Sequence, residues 1–573
     1  IRMMIGWIRT VIRDFPHDGL RVAATTPGDH DHFRPYEALL GQPDMPSSFS
    51  GAPVSALDVA HDAAVRAEKT TGPHRAIDHH TVLAGVDPFH HWMKDEWQHE
   101  LAGHNEARRL FILIDVMLAM IRGMLRDGIF LKGYMAIDDY DLAEWLAKHG
   151  ATRLAVESAA LRGYYDYFFA YENGDPTKPR MSAGMGLRHL LMLVGDYRGS
   201  LFWKMGSGMG DAVFGPLYEI CSSRGVTFRF FHRLEEVIPS EDGESIAALK
   251  IGKQVDLKKD TYEPLFDSNG LPSWPSSPLY DQIDDRQAEE LKRRKANLED
   301  PFTDWDDVDI IELQQGRHFD AVVLGVSLGT LPYVCPKLIE RSEDWRGMIG
   351  RLQSVQTQSM QLWWSPPVED LGWKMGNVTG TGYGQPLESW SDMSFVAPRE
   401  TWPENEEPET IIYFTGPMKN PETMPDGKDP GFGREQTRQA WANALEWSRE
   451  FVGHLYPEAM DSTDLDWSKL LDASGGEGEE RFRAQYVRSN YTPSERYVVD
   501  LPGTNRFRLE ADSSGYDNLV LAGDWLFTGL GGAVESAVIA GMQAARALTG
   551  AGPKIMGALK SPWPRRKTVK PLI

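Results

Sequence analysis

The sequence predicts a mixed α/β protein, because three stretches join a short apolar run to a glycine-rich turn, two of them with a helix attached. Residues 517–548 (DNLVLAGDWLFTGLGGAVESAVIAGMQAARAL) give a buried strand at Leu519–Ala522, a loop rich in glycine, and a long helix from Gly532 or Ala533. Residues 201–232 (LFWKMGSGMGDAVFGPLYEICSSRGVTFRFFH) give a turn, a helix from Asp211 to Ser223 stopped by Arg224-Gly225, and a strand from Val226 to Phe231. Residues 318–332 (HFDAVVLGVSLGTLP) give a buried strand at Phe319–Leu324 and a loop from Gly325 to Thr330. In the last helix Ala533, Ala537, Ala540, Gly541, Ala544 and Ala545 recur at three- and four-residue spacing, so its backbone is expected to lie close to a sheet.

A helix start preceded by glycines leaves N–H groups free at the positive end of the helix dipole, which suits an anionic or electron-rich group. Asp524, just past the strand, is placed to accept hydrogen bonds from hydroxyls. The run AGDW, followed by TGLGGAVESAVIAGMQAARAL, resembles the C-terminal flavin-binding motif of the amine oxidase and phytoene desaturase group of FAD-dependent oxidoreductases. The resemblance implies FAD. Gly523 and Asp524, with Trp525 beside them, would approach the pyrophosphate and ribityl chain. Gly531, Gly532, Ala533 and Val534 would face the N1–C2 carbonyl edge of the isoalloxazine, where reduced flavin carries negative charge. Gly208-Met209-Gly210 stands where the family has a G-G-M-x-x-L segment. Leu234 stands where a backbone amide and carbonyl read the adenine edge, although an ordinary strand pair explains that residue equally well.

The implied fold is a discontinuous FAD/NAD(P)-binding, Rossmann-like domain with an inserted mixed substrate domain. The family opens with a strand, a Gly-x-Gly-x-x-Gly turn, a helix and an acidic residue for the adenosine ribose. No such unit occurs in this sequence. The chain therefore resembles a member without its N-terminal dinucleotide-binding βαβ unit, and expressed alone it is expected to be colourless and prone to aggregate, its strand Val226–Phe231 left with an open edge.

Composition narrows the function classes. The 573 residues suffice for three or four average domains, or two large interleaved ones. A formal charge of −23 argues against a nucleic-acid partner, and the basic tail KSPWPRRKTVK reads as a solvated terminus. Two cysteines, Cys221 and Cys335, give no disulfide framework and fit a reducing cytoplasm. The apolar run Leu110–Leu125 contains Asp115 and Arg122, so a buried helix is expected rather than a membrane span. Nothing near Ile1 resembles a secretion signal. Peripheral contact with a membrane stays open, since relatives acting on lipids dock there, and so does oligomeric state.

In chain order, residues 1–200 are expected to be mostly helical, the first part of a substrate domain. Pro27–His104 reads as loops with short helices, and eleven of the sixteen histidines fall by His104, none paired at the i, i+4 spacing of a zinc site, so no metal is expected. In DDYDLAEWLAKHGA, Asp138 or Asp139 can cap a short helix ended by Gly150. Tyr164, Tyr165, Tyr167, Phe168, Phe169 and Tyr171 crowd one segment, as core or as part of a substrate wall. Residues 201–330 would be cofactor domain, with a polar insertion at about 253–309 carrying one exposed helix. Residues 331–484 would complete the substrate domain around a strand at Met360–Trp364, and 485–573 would return to the cofactor and end in the tail. Arg496, Arg506 and Arg508 could bind a carboxylate or phosphate, or pair with the protein's own acids; the second is favoured.

The expected chemistry is removal of hydride from a bulky apolar substrate, isoprenoid- or carotenoid-like, by a desaturase or dehydrogenase. Flavin amine oxidases place a lysine near flavin N5 on a strand of the substrate domain, and no lysine occurs between Lys337 and Lys374. A C–N amine oxidase is the alternative, as is a non-catalytic remnant serving as a binding module. No acid–base pair stands out, and a hydride acceptor needs none.

Overall fold

The computed structural model describes residues 1–14, 54–69, 79–101, 105–195, 203–382, 384–404, 406–462, 464–564, 569 and 571. They divide into two units, Ile1–Tyr165 with Arg180–Phe202, and Asp166–Pro179 with Trp203–Ile573.

The first unit is built from helices, chiefly Arg2–Asp14, Val54–Lys69, His79–Asp95, Asn105–Arg126 and Ala183–Gly195. Ile5, Leu57, Val82, Phe89, Phe111 and Leu118 meet in its core. The stretch Pro27–His104, expected as loops with short helices, holds two helices of 16 and 17 residues; the rest of it, apart from 96–101, lies outside the described residues. The helices 54–69 and 79–95 approach closely at Gly85, where a Cβ would stand 2.6 Å from that of Ala60. The run Leu110–Leu125 is a buried helix, and its two charges are internal. Asp115 accepts from Thr152 N and Oγ1 and lies 2.6 Å from His90 Nε2, while Arg122 Nη1 lies 2.7 Å from His90 Nδ1. A guanidinium only donates, so His90 accepts at Nδ1 and donates from Nε2, a neutral tautomer. Burial holds its pKa below the usual histidine value. The cap of the next helix is Asp141, which accepts from Ala143 N and Glu144 N; Asp138 instead accepts from Ser182 Oγ at 2.6 Å. Asp141 has the extended backbone that an N-cap needs (φ −70°, ψ 146°), whereas Asp138 is already helical. Gly150 ends the segment at φ +100°. Among the described residues, no helix is long and apolar enough to cross a membrane.

Among the described residues the second unit holds four sheets. Strands β1 (His232–Pro239), β2 (Ile246–Lys253) and β5 (Asp309–Gln314) form an antiparallel sheet in the order β1-β2-β5. A hairpin, β3 (Phe266–Ser268) and β4 (Leu271–Ser273), lies in the polar insertion. The insertion's helix, Asp285–Arg294, is capped by Asp284 and packs Ala288 and Leu291 against Val255, Ile283 and Trp305. The large sheet is centred on β7 (Gln353–Trp364), longer than the strand expected at 360–364. It continues through β10 (Thr410–Met418), β9 (Ser389–Asp392) and β8 (Thr379–Gly380), with β11 (Tyr486–Asn490) and β12 (Tyr497–Val499) both pairing with β7. The helix Pro430–Leu455 covers it, burying Ala444, Trp447 and Val452 against Met360, Leu362 and Phe414.

The last sheet positions the site. β6 (Val322–Leu324) and β13 (Leu519–Leu521) pair in parallel, Val323 opposite Val520. The far side of β13 is closed where Leu521 N donates to Ala511 O at 2.9 Å, whereas the far side of β6 meets no strand among the described residues. The helix Val534–Thr549 buries Ile539, Ala540 and Ala544 and leaves Ala537, Gly541 and Ala545 exposed. The small residues thus lie on two faces, because a two-stranded sheet covers only one narrow stripe of a helix. Val323, Val534 and Val538 are each more than half exposed, at 52%, 56% and 55%.

The segment 226–231 is not a strand. A strand is a ladder, and among the described residues this segment pairs with no strand; Phe228 and Phe230 pack instead on Tyr218, with ring centroids 4.7 and 6.0 Å away. The open strand edge belongs to β6. The helix expected at 211–223 begins as a π-helical turn, Gly210–Phe214, and becomes regular only at Gly215–Ser223. Gly225, at φ +88°, stops it as expected.

Candidate functional site

The site is assembled at the end of β13. Gly523 takes φ +149°, a conformation closed to most side chains, and a Cβ there would strike the indole of Trp525. Trp525 is fully buried, and its Nε1 donates to Val326 O at 2.9 Å, tying the loop after β13 to the loop after β6. Its indole therefore positions the turn and has no face left for a ligand. Beyond it, Thr528 Oγ1 donates to Leu530 O and lies 2.7 Å from Ser536 Oγ, which fixes the loop against the first turn of the helix.

Gly531 and Gly532 are glycines for a reason visible only in three dimensions. A Cβ on Gly531 would overlap the Asp500 carboxylate, and one on Gly532 would stand 2.5 Å from Val498 O and 2.8 Å from the Tyr497 ring. The Tyr497 hydroxyl donates to Gly532 O. One wall of the loop is thus β12 and the residue after it. The helix that follows is capped by Ala533, at φ −143° and ψ 154°, with no side chain bonded to its free N–H groups. Val534 opens the helix with its side chain exposed.

Charge at this end is sparse and arranged. Arg508 donates from Nη1 to the Asp524 backbone carbonyl at 2.9 Å and from Nη2 to Asp500 Oδ1 at 2.8 Å. Arg508 Nε is buried without a partner among the described residues. The Asp524 carboxylate takes the Trp525 backbone N–H and no side-chain donor among the described residues. Burial raises its pKa above the usual carboxylate range; the neighbouring Asp500 adds to the rise and Arg508 opposes it. Asp524 is therefore an acceptor short of donors, beside an uncapped helix start. The arrangement suits a ligand that brings hydroxyls to the first and an electron-rich edge to the second.

Gly523, Asp524, Gly531, Gly532, Ala533 and Val534 lie on the segment between β13 and the first turn of the helix Val534–Thr549. Leu234 lies on β1 opposite Ile251, half-buried against the core that includes β6 and β13. Gly208 and Met209 make local contacts: Gly208 O accepts from Asp211 N and Ala212 N, and Met209 is exposed. Tyr497 and Asp500 escaped the sequence reading, since nothing local distinguishes them; Arg508 pairs with the protein's own acid, as favoured.

No curated protein matches the chain. Among solved structures, an oxidoreductase from Methanosarcina mazei is similar at 12% identity and a TM-score of 0.39, over 71% of this chain and 68% of that one. Residues 302–549 match the family model described as flavin containing amine oxidoreductase. That span contains β6, β7, β12, β13 and the whole loop from Gly523 to Val534. Over residues 302–549 the chain thus matches the flavin containing amine oxidoreductase family, and that match supports an oxidoreductase that uses a flavin.

Proposed function

We propose that the protein binds its flavin as FAD and removes hydride from a bulky apolar substrate. The observation that supports the cofactor is the glycine loop: two positions where a Cβ has no room, an uncapped helix start, and a carboxylate bonded only to backbone N–H groups among the described residues. Bound there, the flavin would accept one hydride, two electrons with one proton, from a C–H bond of the substrate. Asp524 would hold a ribityl or ribose hydroxyl. The N–H groups of Ala533 and Val534 would stabilise negative charge at the ring edge. Arg508 acts indirectly: it fixes Asp500 against Gly531 and the Asp524 carbonyl against the turn.

Asp524→Ala in the natural full-length protein is expected to weaken FAD binding about ten- to a hundredfold, as one charge-assisted hydrogen bond of about 1.5–3 kcal/mol is lost. Equilibrium dialysis against free FAD measures this. Unchanged affinity would remove Asp524 from the site.

The substrate class rests on β7. This central strand of the large sheet, QSVQTQSMQLWW, carries no lysine, whereas the amine-oxidising members have one on a strand of this domain. Trp364, on β7, and Trp447, on the helix that covers it, are fully buried in the core. Under anaerobic conditions, bulky apolar compounds of isoprenoid type are expected to bleach the flavin absorbance and simple primary amines or polyamines are not. Rapid bleaching by amines would overturn this choice of substrate.

A further inference from the structure

Arg496 differs from every other arginine near the site. Its Nε donates to Tyr491 O at 3.2 Å, and its Nη2 lies 2.8 Å from the Met424 sulfur. Among the described residues no carboxylate pairs with it, in a chain with 83 acidic residues against 60 lysines and arginines. Two nearby acids are committed elsewhere. Glu495 takes Arg488 and the Thr492 hydroxyl, and Asp300 takes the Tyr491 hydroxyl at 2.7 Å and Phe302 N at 2.9 Å. Burial also pushes the Arg496 pKa down to about 10. A half-buried guanidinium left in this state lacks the compensation that desolvation demands.

Its surroundings say what could supply it. β11 ends opposite Thr357 and β12 begins opposite Val355, so residues 491–496 arch over a single position of β7. The arch is tied to the loop after β6, where Ser327 Oγ donates to Pro493 O at 3.0 Å. It runs directly into Tyr497, which holds Gly532. Beside Arg496 stands a rank of rings: Tyr491 on Phe432 at 5.8 Å, Phe432 on Phe302 at 5.3 Å, and Phe302 on Tyr333 at 6.2 Å. One uncompensated cation at the end of an aromatic rank is complementary to a molecule with an apolar body and an anionic end.

We infer that Arg496 recognises a carboxylate carried by the apolar substrate, so that the substrate is an amphipathic acid and not a pure hydrocarbon. This rests on the oxidoreductase reading above for the word substrate, but the binding event does not require flavin. Guanidinium and carboxylate pair through two parallel hydrogen bonds, which Nη1 and Nη2 can offer once Nη2 leaves the Met424 sulfur.

The test is isothermal titration of the natural full-length protein with sodium dodecanoate and with dodecanol, which share the apolar chain and differ in the anionic end. The protein is expected to prefer dodecanoate by tenfold or more. Arg496→Met should abolish that preference while leaving dodecanol binding within twofold, and Arg496→Lys should restore part of it. Equal affinities in the unsubstituted protein would overturn the inference, as would a preference that survives Arg496→Met. Parallel loss of both ligands in Arg496→Met and Arg496→Lys would make the residue structural and would overturn it too. Flavin absorbance recorded on the same samples separates the two readings: a colourless protein that still prefers dodecanoate sinks the flavin assignment alone.

Discussion

Gly531→Val is expected to leave the protein without flavin while Gly541→Ala, ten residues further along, keeps it. A side chain at Gly531 would occupy the space of the Asp500 carboxylate, and Asp500 is itself held by Arg508. One of three groups must give way: the loop, the acid or the arginine. Overpacking of a tight site costs about 1–3 kcal/mol of stability, but the larger effect is geometric, because the loop is the surface the flavin would lie against. Gly541 is exposed, with nothing within 4 Å of where its Cβ would stand, so alanine there should stabilise the helix by about 0.5–1 kcal/mol. Absorbance near ~450 nm after gel filtration reports flavin content, and thermal unfolding reports stability. Full occupancy in Gly531→Val would show that the glycine serves packing alone.

Arg508→Met is expected to cost about 3–5 kcal/mol of stability, the usual penalty for breaking a buried ion pair from one side. The pair is well shielded, with the Arg508 side chain 1% exposed and that of Asp500 10%. Removing the cation strands Asp500 and releases the Asp524 carbonyl together. Combining Arg508→Met with Asp500→Asn should recover part of the loss, because the uncompensated charge goes too, and the two changes share a contact and so will not add. Urea denaturation followed by tryptophan fluorescence measures both. A loss below about 1 kcal/mol would place the pair with exposed surface bridges, which contribute little.

What the sequence disclosed and what it hid divide along locality. The strand at 519–521, the glycine loop and the helix after it are specified by neighbours in the chain, as are the buried helix at 105–126 and the charged helix at 285–294. The apolar residues at 226–231 have strand character, but a strand also needs a partner, and sequence composition does not supply one. The cap at Asp141 depends on backbone angles that three nearby aspartates could equally have provided. Tyr497 and Asp500 face Gly532 and Gly531 from some thirty residues away, so the second wall of the site has no signature in the chain.

That second wall also has a mechanical meaning. β12 is bonded through its length to β7, with Tyr497 opposite Val355 and Val499 opposite Gln353, and the same β7 is the backbone of the large sheet. Tyr497 holds Gly532 by its carbonyl. The loop and the large sheet are therefore linked in series by one short strand, and neither can shift without loading the other. A molecule that displaces the large sheet would pull on the glycine loop through the Tyr497 hydroxyl and through Asp500 and Arg508, so occupancy on one side is transmitted to the other as tension in β12.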